Sequence, residues 1–144
     1  MIYIASDRHG FKTIKHAEEF LKKNKIEYEN LGVKNDKEDI KLEDMIPKVV
    51  KKVLKENSLA ILSCGTGIGV EVGANKFSGI RACLATSAQM AKWSKIYDNC
   101  NVLCLVGWNC TKKNVHAILK SWLSSKYDED KQRLEMFKAF NEWH

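Results

Sequence analysis

The chain of 144 residues has a formal net charge of +6, with 44% hydrophobic and 29% charged residues. This length suits one domain with a substantial core, and the composition is that of an ordinary globular protein rather than a disordered or collagen-like one. No apolar run approaches the length of a membrane span, and the start MIYIAS lacks the basic and apolar segments of a secretion signal. We therefore expect a cytoplasmic protein with no membrane partner.

The positive charge comes from lysines spread over helical segments such as KVVKKVLK. Because no dense basic block and no aromatic RNA-binding motif accompany them, the charge is interpreted as solvated surface, and no nucleic-acid partner is expected. The five cysteines are odd in number and form no CxxC pair. Reduced thiols are therefore expected, with no disulfide framework and no metal site.

Short apolar runs alternate with segments of helical periodicity along the whole chain. The predicted strands are 2–6, 26–32, 59–63, 81–85 and 102–106, and the predicted helices are 11–23, 44–55, 68–76, 88–97, 113–124 and 130–142. Pro47 is expected in the first turn of its helix, where a missing amide hydrogen is tolerated. Unbroken apolar strands alternating with helices predict an α/β fold: one doubly wound, three-layer αβα domain of Rossmann-like type over residues 1–144, with about five parallel strands.

In such a sheet, ligands bind outside the carboxyl ends of the strands, where the strand order reverses. Three segments are expected at that edge. They are 7–10 after the first strand, 64–69 after the third, and the turn after the fourth strand that leads toward 97–101. The pocket is expected where these segments meet.

The stretch CGTGIG, residues 64–69, joins the third strand to its helix. Its glycines permit positive φ angles and close approach, so that backbone amides can converge on an anion. The loop lacks the GK[ST] of a phosphate loop and does not match GxGxxG, which disfavours nucleotide binding. A thiol beside such amides has its thiolate favoured, which makes Cys64 a candidate nucleophile or general base. The alternative is that Cys64 only fills a gap at the strand end.

Three stretches together, CGTGIG, the following ANKFSGIRA and the earlier DRHGF, resemble the ribose-5-phosphate isomerase B and galactose-6-phosphate isomerase family. The likeness continues through NVLCLVGW to the helix after KYDEDKQR. The resemblance implies an aldose–ketose isomerisation of a phosphorylated sugar through an enediolate, without a cofactor.

The resemblance also implies roles for the loop and the first turn. Cys64 moves a proton between C1 and C2 of the sugar, Thr66 assists ring opening, and Asp7 lies near the ring oxygen or the hydroxyls. Backbone amides hold the oxyanion, which suits a transient local anion; these substrate-binding positions are Gly65, Gly67, Ile68 and Gly69. Some relatives use a glutamate where this chain has Ile68, so Cys64 is the base expected here, and Glu71 is expected to be an exposed helix residue.

The residues expected to bind the phosphate depart from the family pattern. Arg8 stands where the family usually has a histidine, and His9 is displaced by one position. A guanidinium can bind phosphate, or it can pair with a surface carboxylate, and both alternatives stay open for Arg8. Of two C-terminal arginines that grip phosphate in the family, this chain keeps only Arg133.

The expected ring-opening groups depart from the pattern as well. Tyr97 and Asp98 replace a His-Asn pair that opens the ring and binds hydroxyls, and Trp108 replaces an arginine. A tyrosine, with an ordinary pKa of about 10, is a poor acid–base group at neutral pH. Tyr97 and Asp98 are kept as substrate-binding candidates, and Asn99 and Asn101 are interpreted as turn residues.

The resemblance further implies a homodimer, or a dimer of dimers, in which each pocket is completed by the neighbouring chain. The last predicted helix, about 130–142, has more apolar surface than a solvated terminal helix requires, so we expect it to pack on a partner subunit. The expected function is isomerisation of a phosphorylated sugar, either ribose 5-phosphate or a related pentose or hexose phosphate. The alternative is a catalytically weakened binding or partner subunit of the same fold.

Overall fold

The computed structural model describes residues 1–143, and its strands form one five-stranded parallel sheet. The strands are β1 (Ile2–Ser6), β2 (Tyr28–Asn30), β3 (Leu59–Cys64), β4 (Ala82–Leu84) and β5 (Val102–Val106). The helices are α1 (Phe11–Lys23), α2 (Leu42–Glu56), α3 (Ile68–Ala74), α4 (Ala88–Ile96), α5 (Lys112–Ser124) and α6 (Lys131–Asn141), and a short 3₁₀ turn, Arg8–Gly10, precedes α1. The predicted doubly wound α/β fold is confirmed. None of the helices described here is long and apolar enough to span a bilayer.

The strand order, β2-β1-β3-β5-β4, reverses between β1 and β3. The chain leaves β1 toward β2 on one side and leaves β3 toward β4 and β5 on the other, so a crevice opens at the carboxyl ends of β1 and β3. Ser6 pairs with Ser63 in the register of these two strands. The residues that follow them, Asp7 and Cys64, therefore lie side by side at this crevice.

Alternate residues of each strand face opposite sides of the sheet, and each side has its own core. Helices α2 and α3 cover one side, where Ala5, Leu62 and Cys104 are fully buried. Helices α1, α4 and α5 cover the other, around Ile61 and Leu103. This two-sided burial explains why the strands read as unbroken apolar runs rather than alternating ones.

Helix α2 begins two residues earlier than predicted. The carbonyl of Lys41 accepts the amides of Asp44 and Met45, which starts the helix at Leu42. Pro47 consequently lies in the second turn rather than the first, and the exposed Glu43 carbonyl is the group left without its intrahelical donor. The position expected for Pro47 is therefore wrong.

Residues 97–101 do not join the pocket at the carboxyl edge of the sheet. Helix α4 starts there, after β4, and returns the chain to the opposite edge, because a parallel strand must begin at the amino end. Residues 97–101 therefore precede β5 at the amino edge. The length of β5, five residues, separates the two edges by about 16 Å, and the expected meeting of all three segments within one chain is wrong.

Candidate active site

Three turns are in backbone contact at the carboxyl edge: Asp7–Gly10, Cys64–Gly67 and Gly107–Trp108. A Cβ placed on Gly10 would lie 2.6 Å from the Ser63 carbonyl, and one placed on Gly107 would lie 2.4 Å from the His9 carbonyl oxygen and 2.5 Å from that of Cys64. No side chain fits at either glycine. The glycines thus let the turns after β1, β3 and β5 meet at one point, as the topology requires.

Cys64 is the last residue of β3, and its carbonyl accepts the amide of Gly107 at 2.8 Å. The side chain is 5% exposed and packs into the core beneath α2 and α3. Its Sγ atom lies 3.7 Å from where a Cβ on Gly69 would be. The sulfur therefore borders the glycine loop on one side and the packed core on the other, as both interpretations of this thiol require.

The loop after Cys64 has the geometry of an amide nest. Gly67 has a φ of 76°, and a Cβ there would meet Leu84 Cδ1 at 2.6 Å. The Thr66 hydroxyl accepts the amide of Ile68 at 3.1 Å. Within residues 1–143, no acceptor receives the amide hydrogens of Thr66 and Gly67. Two donors beside the thiol are thus available to an anion.

Asp7 and Arg8 occupy the turn after β1. The Asp7 carboxylate accepts the amide of Gly10 at 3.1 Å and so closes the turn. The backbone amide of Arg8 donates to Asp39 at 3.1 Å, and this bond, together with one from the Ile40 amide, lowers the pKa of the Asp39 carboxyl. The Arg8 guanidinium is exposed and forms no ion pair with any carboxylate in the described part of the chain. Its positive charge acts on the Asp39 carboxyl only through a Coulomb interaction, which also lowers the pKa of that carboxyl.

Two rings, those of His9 and Trp108, form an aromatic rim next to Cys64. The Trp108 amide donates to the Gly65 carbonyl at 2.9 Å, and its indole covers Gly65 so closely that a Cβ there would lie 2.5 Å from Cε2 and Cζ2. The His9 ring meets the indole edge-on, with ring centroids 5.7 Å apart. The segment 7–10, which contains His9, is expected at the pocket from the sequence, but neither His9 nor Trp108 is predicted to act in the site; the available signal is that both follow strands that end at this edge.

The remaining substrate-binding candidates, Tyr97, Asp98 and Arg133, lie together at the amino edge. The Arg133 guanidinium stacks on the Tyr97 ring, 5.3 Å from its centroid, and pairs with the Asp128 carboxylate. The Asp98 carbonyl accepts a hydrogen bond from Arg81 Nε at 3.1 Å. One chain therefore does not bring these candidates to Cys64.

Two side chains, Glu71 of α3 and Asn75 directly after that helix, cover the outer edge of β4. The Glu71 carboxylate accepts the amide of Leu84 at 3.0 Å and is half-buried, so the expectation of an exposed helix residue is wrong. Asn75 accepts the amide of Ala82 at 2.8 Å and donates to its carbonyl at 3.0 Å. These bonds satisfy backbone groups that an edge strand would otherwise leave unpaired. Asn101 also binds neighbouring backbone, which confirms its turn role.

A cavity of about 710 Å³ lies beside β4, between α3, α4 and α6. The glycine loop does not line it. Its rim carries four exposed apolar side chains: Met90, Trp93, Phe140 and Trp143. No three His, Cys, Asp or Glu side chains of residues 1–143 cluster as metal ligands, here or elsewhere.

Known proteins resemble this chain over most of its length. A sequence profile described as Ribose/Galactose Isomerase matches residues 2–137. The chain is 34% identical over 129 residues to a probable ribose-5-phosphate isomerase B of Mycoplasma genitalium, which covers 88% of this chain and 85% of that protein. It is 34% identical over 87 residues to the galactose-6-phosphate isomerase subunit LacB of Clostridium acetobutylicum, covering 60% of this chain and 50% of that one. The solved structure of a ribose 5-phosphate isomerase from Thermotoga maritima is similar with a TM-score of 0.92 at 30% identity, over 99% of this chain and 97% of that one.

Proposed function

The chain belongs to the ribose/galactose isomerase family, and from this premise we propose that it interconverts an aldose phosphate and a ketose phosphate through an enediolate, with Cys64 as the proton-transfer base. The names of two relatives support the proposed substrate class. The one from Mycoplasma genitalium is named for ribose 5-phosphate and the one from Clostridium acetobutylicum for galactose 6-phosphate. A pentose or hexose phosphate of these kinds is therefore the proposed substrate.

The observation that carries the proposal is the position of the thiol beside unpaired amides. In the proposed reaction, the Cys64 thiolate removes the proton from C2 of the open-chain aldose. The electron pair left on C2 forms a C1–C2 double bond, and the carbonyl electrons move to O1. The amides of Thr66 and Gly67 stabilise the O1 anion, because preorganised donors are most effective where charge develops. Cys64 returns the proton to C1, and a proton moves from O2 to O1, which gives the ketose.

The substrate can reach the Cys64 sulfur from one direction only. The core side of Cys64 is closed by the layer of α2 and α3, and only 5% of the side chain is exposed. The substrate must therefore approach from the glycine loop, past Gly65 and the indole of Trp108. Arg8, with its unpaired guanidinium in the neighbouring turn, is the proposed phosphate ligand within the same chain.

We further propose that two chains share each site. Tyr97, Asp98 and Arg133 lie at the opposite edge of the sheet from Cys64, so a second copy is needed to unite the two groups. The exposed aromatic side chains around the cavity beside β4, together with α6, offer the apolar surface that such a contact requires. In the assembled protein, α6 of one chain would then lie near the thiol of the other.

A partner subunit with weakened catalysis is the second candidate function. Two observations favour it: the Arg133 guanidinium already pairs with Asp128 in its own chain, and Tyr97 and Asp98 stand in place of the family's His-Asn pair. Copurification with a second family member, and activity only in the mixture, would identify this case.

The test of the proposed function is a panel of pentose and hexose phosphates, supplied in aldose and ketose forms to the pure protein. We expect interconversion of at least one pair, with deuterium from heavy water appearing at C1 or C2. No interconversion and no deuterium uptake with any sugar phosphate would contradict the proposal.

A further inference from the structure

Ring opening is a chemical requirement that the proposed Cys64 step does not meet. The aldopentose and aldohexose phosphates are mostly cyclic hemiacetals, and an enediolate forms only from the open-chain carbonyl. Opening the ring takes the proton from the anomeric hydroxyl and places one on the ring oxygen. Imidazole is the side chain whose ordinary pKa suits this double role near neutral pH.

His9 is the imidazole that the fold places at the carboxyl edge. Of the histidines described, His16 belongs to α1 and His116 to α5, where His116 Nε2 lies 3.0 Å from the His16 carbonyl. The phenol of Tyr97 lies at the opposite edge of the sheet. Among the described residues 1–143 of one chain, therefore, only His9 combines this chemistry with this position.

The backbone of His9 is held between the ends of β3 and β5. Its carbonyl oxygen would lie 2.4 Å from a Cβ on Gly107, and the next residue, Gly10, is in backbone contact with Ser63. The Asp7 carboxylate closes the same turn through the Gly10 amide. His9 is thus fixed at the end of the strands that carry Cys64 and Trp108.

The His9 ring is exposed, and its one aromatic neighbour connects it to the thiol. The imidazole meets the indole of Trp108 edge-on at 5.7 Å, and that indole lies directly on Gly65, the residue after Cys64. A substrate that approaches Cys64 past Gly65 must pass this rim. The charged residues of its own turn are Asp7 and Arg8, and the charge of Asp39, from the loop before α2, interacts with His9.

We propose that His9 is the acid–base residue that opens the sugar ring and that Trp108 positions it, an inference that rests on the proposed isomerase function. The neutral imidazole takes the proton from the anomeric hydroxyl. The bond between C1 and the ring oxygen breaks, its electron pair stays on that oxygen, and the C1 carbonyl forms. The imidazolium then gives its proton to the former ring oxygen, so that protons and electrons balance and the open chain passes to Cys64.

The experiment separates ring opening from enediolate formation. Ribose 5-phosphate is cyclic, whereas ribulose 5-phosphate stays open because the phosphate occupies the hydroxyl that would close its ring. Two rates are measured for each variant: conversion of ribose 5-phosphate, and deuterium incorporation at C1 of ribulose 5-phosphate in heavy water. The second rate needs the Cys64 step but no ring opening. The variants are His9→Gln, the positioning variants Trp108→Ala and Trp108→Phe, and Tyr97→Phe as the matched control for the other candidate group.

We expect His9→Gln to lower kcat/KM for ribose 5-phosphate about 100-fold, in the range of general acid–base catalysis, and to leave deuterium incorporation close to the wild-type rate. Trp108→Ala should give a smaller loss with the same selectivity, and Trp108→Phe should restore much of it. Equal loss of both rates in His9→Gln, or no loss, overturns the role of His9, as does a selective loss in Tyr97→Phe. If the wild-type protein neither converts ribose 5-phosphate nor incorporates deuterium into ribulose 5-phosphate, the proposed function is contradicted for this sugar. The proposed role of His9 in opening this sugar is then contradicted as well.

Discussion

Trp108 packs its indole on the backbone of Gly65, with Cε2 and Cζ2 only 2.5 Å from the place where a Cβ on that glycine would be. This contact joins the turn after β5 to the residue that follows the candidate base. It also explains why the first glycine of CGTGIG has no side chain: the indole occupies the space. The contact leads directly to a double-mutant prediction.

Gly65→Ala should displace the indole and shift the glycine loop, because overpacking a close contact typically destabilises by about 1–3 kcal/mol. We expect a matching fall in the free energy of unfolding in urea and a loss of isomerase activity. In the double variant Gly65→Ala/Trp108→Gly, stability should recover, since the clashing ring is gone. If the alanine variant is as stable and active as wild type, the indole does not hold the loop.

Shared sites predict complementation between two inactive variants. One carries Cys64→Ala, and the other carries alanine at Tyr97, Asp98 and Arg133. Mixed dimers assembled from equal amounts of both chains would contain one intact site, and random pairing gives about a quarter of the wild-type sites. Activity is measured after unfolding and refolding the two chains together. Recovery of no activity, from a mixture shown to contain mixed dimers, would contradict the sharing of sites.

Asn75 is predicted to act on stability rather than on chemistry. Its amide group makes two hydrogen bonds to Ala82 on the edge of β4, at 2.8 and 3.0 Å. Asn75→Ala removes both, which should lower the free energy of unfolding by about 1–2 kcal/mol. Activity per folded molecule should stay unchanged, with the neighbouring exposed residue variant Lys76→Ala as control. A large fall in kcat for Asn75→Ala, at temperatures where the variant is fully folded, would give this residue a role in the reaction.

The Asp128–Arg133 pair predicts a loss of stability in acid. The hydrogen bond from Arg133 lowers the pKa of the Asp128 carboxyl below its usual value of 3.8. A carboxyl with a lowered folded-state pKa stabilises the fold above its unfolded-state value, and this stabilisation disappears as the pH falls through the lower folded-state value. The difference in unfolding free energy between wild type and Asp128→Asn should therefore shrink between about pH 5 and about pH 3. A difference that stays constant with pH would show that the pair does not stabilise α6.

The sequence predicts the architecture well because burial on both sides of a parallel sheet leaves a strong pattern. The runs IYIA and VLCLV are unbroken hydrophobic stretches, and both lie in inner strands of the sheet. The ends of elements were less certain: the amide of Ile26 bonds back to Leu21 and closes α1, which shortens the predicted second strand. Such local competition for a hydrogen bond has no signature in hydrophobic periodicity.

The sequence predicts only the part of the candidate site that lies at the ends of two adjacent strands, β1 and β3. The pairing of Ser6 with Ser63 brings Asp7 beside Cys64, and a doubly wound order makes that meeting expected. The placement expected for Tyr97 is wrong although the predicted parallel strands already require α4 to carry the chain back to the amino edge before β5 begins. The contact between His9 and Trp108 depends on two turns nearly a hundred residues apart, which motif spacing does not reveal.

The most direct measurement of the central claim is deuterium uptake by the substrate in heavy water with wild type, Cys64→Ala and the control Cys104→Ala. Cys104 is fully buried in the neighbouring strand, so its variant reports what loss of a buried thiol does to the fold alone. We predict that Cys64→Ala abolishes uptake at C1 and C2 while its unfolding transition stays cooperative, and that folded Cys104→Ala retains uptake. Undiminished uptake by Cys64→Ala would contradict the assignment of Cys64 as the base.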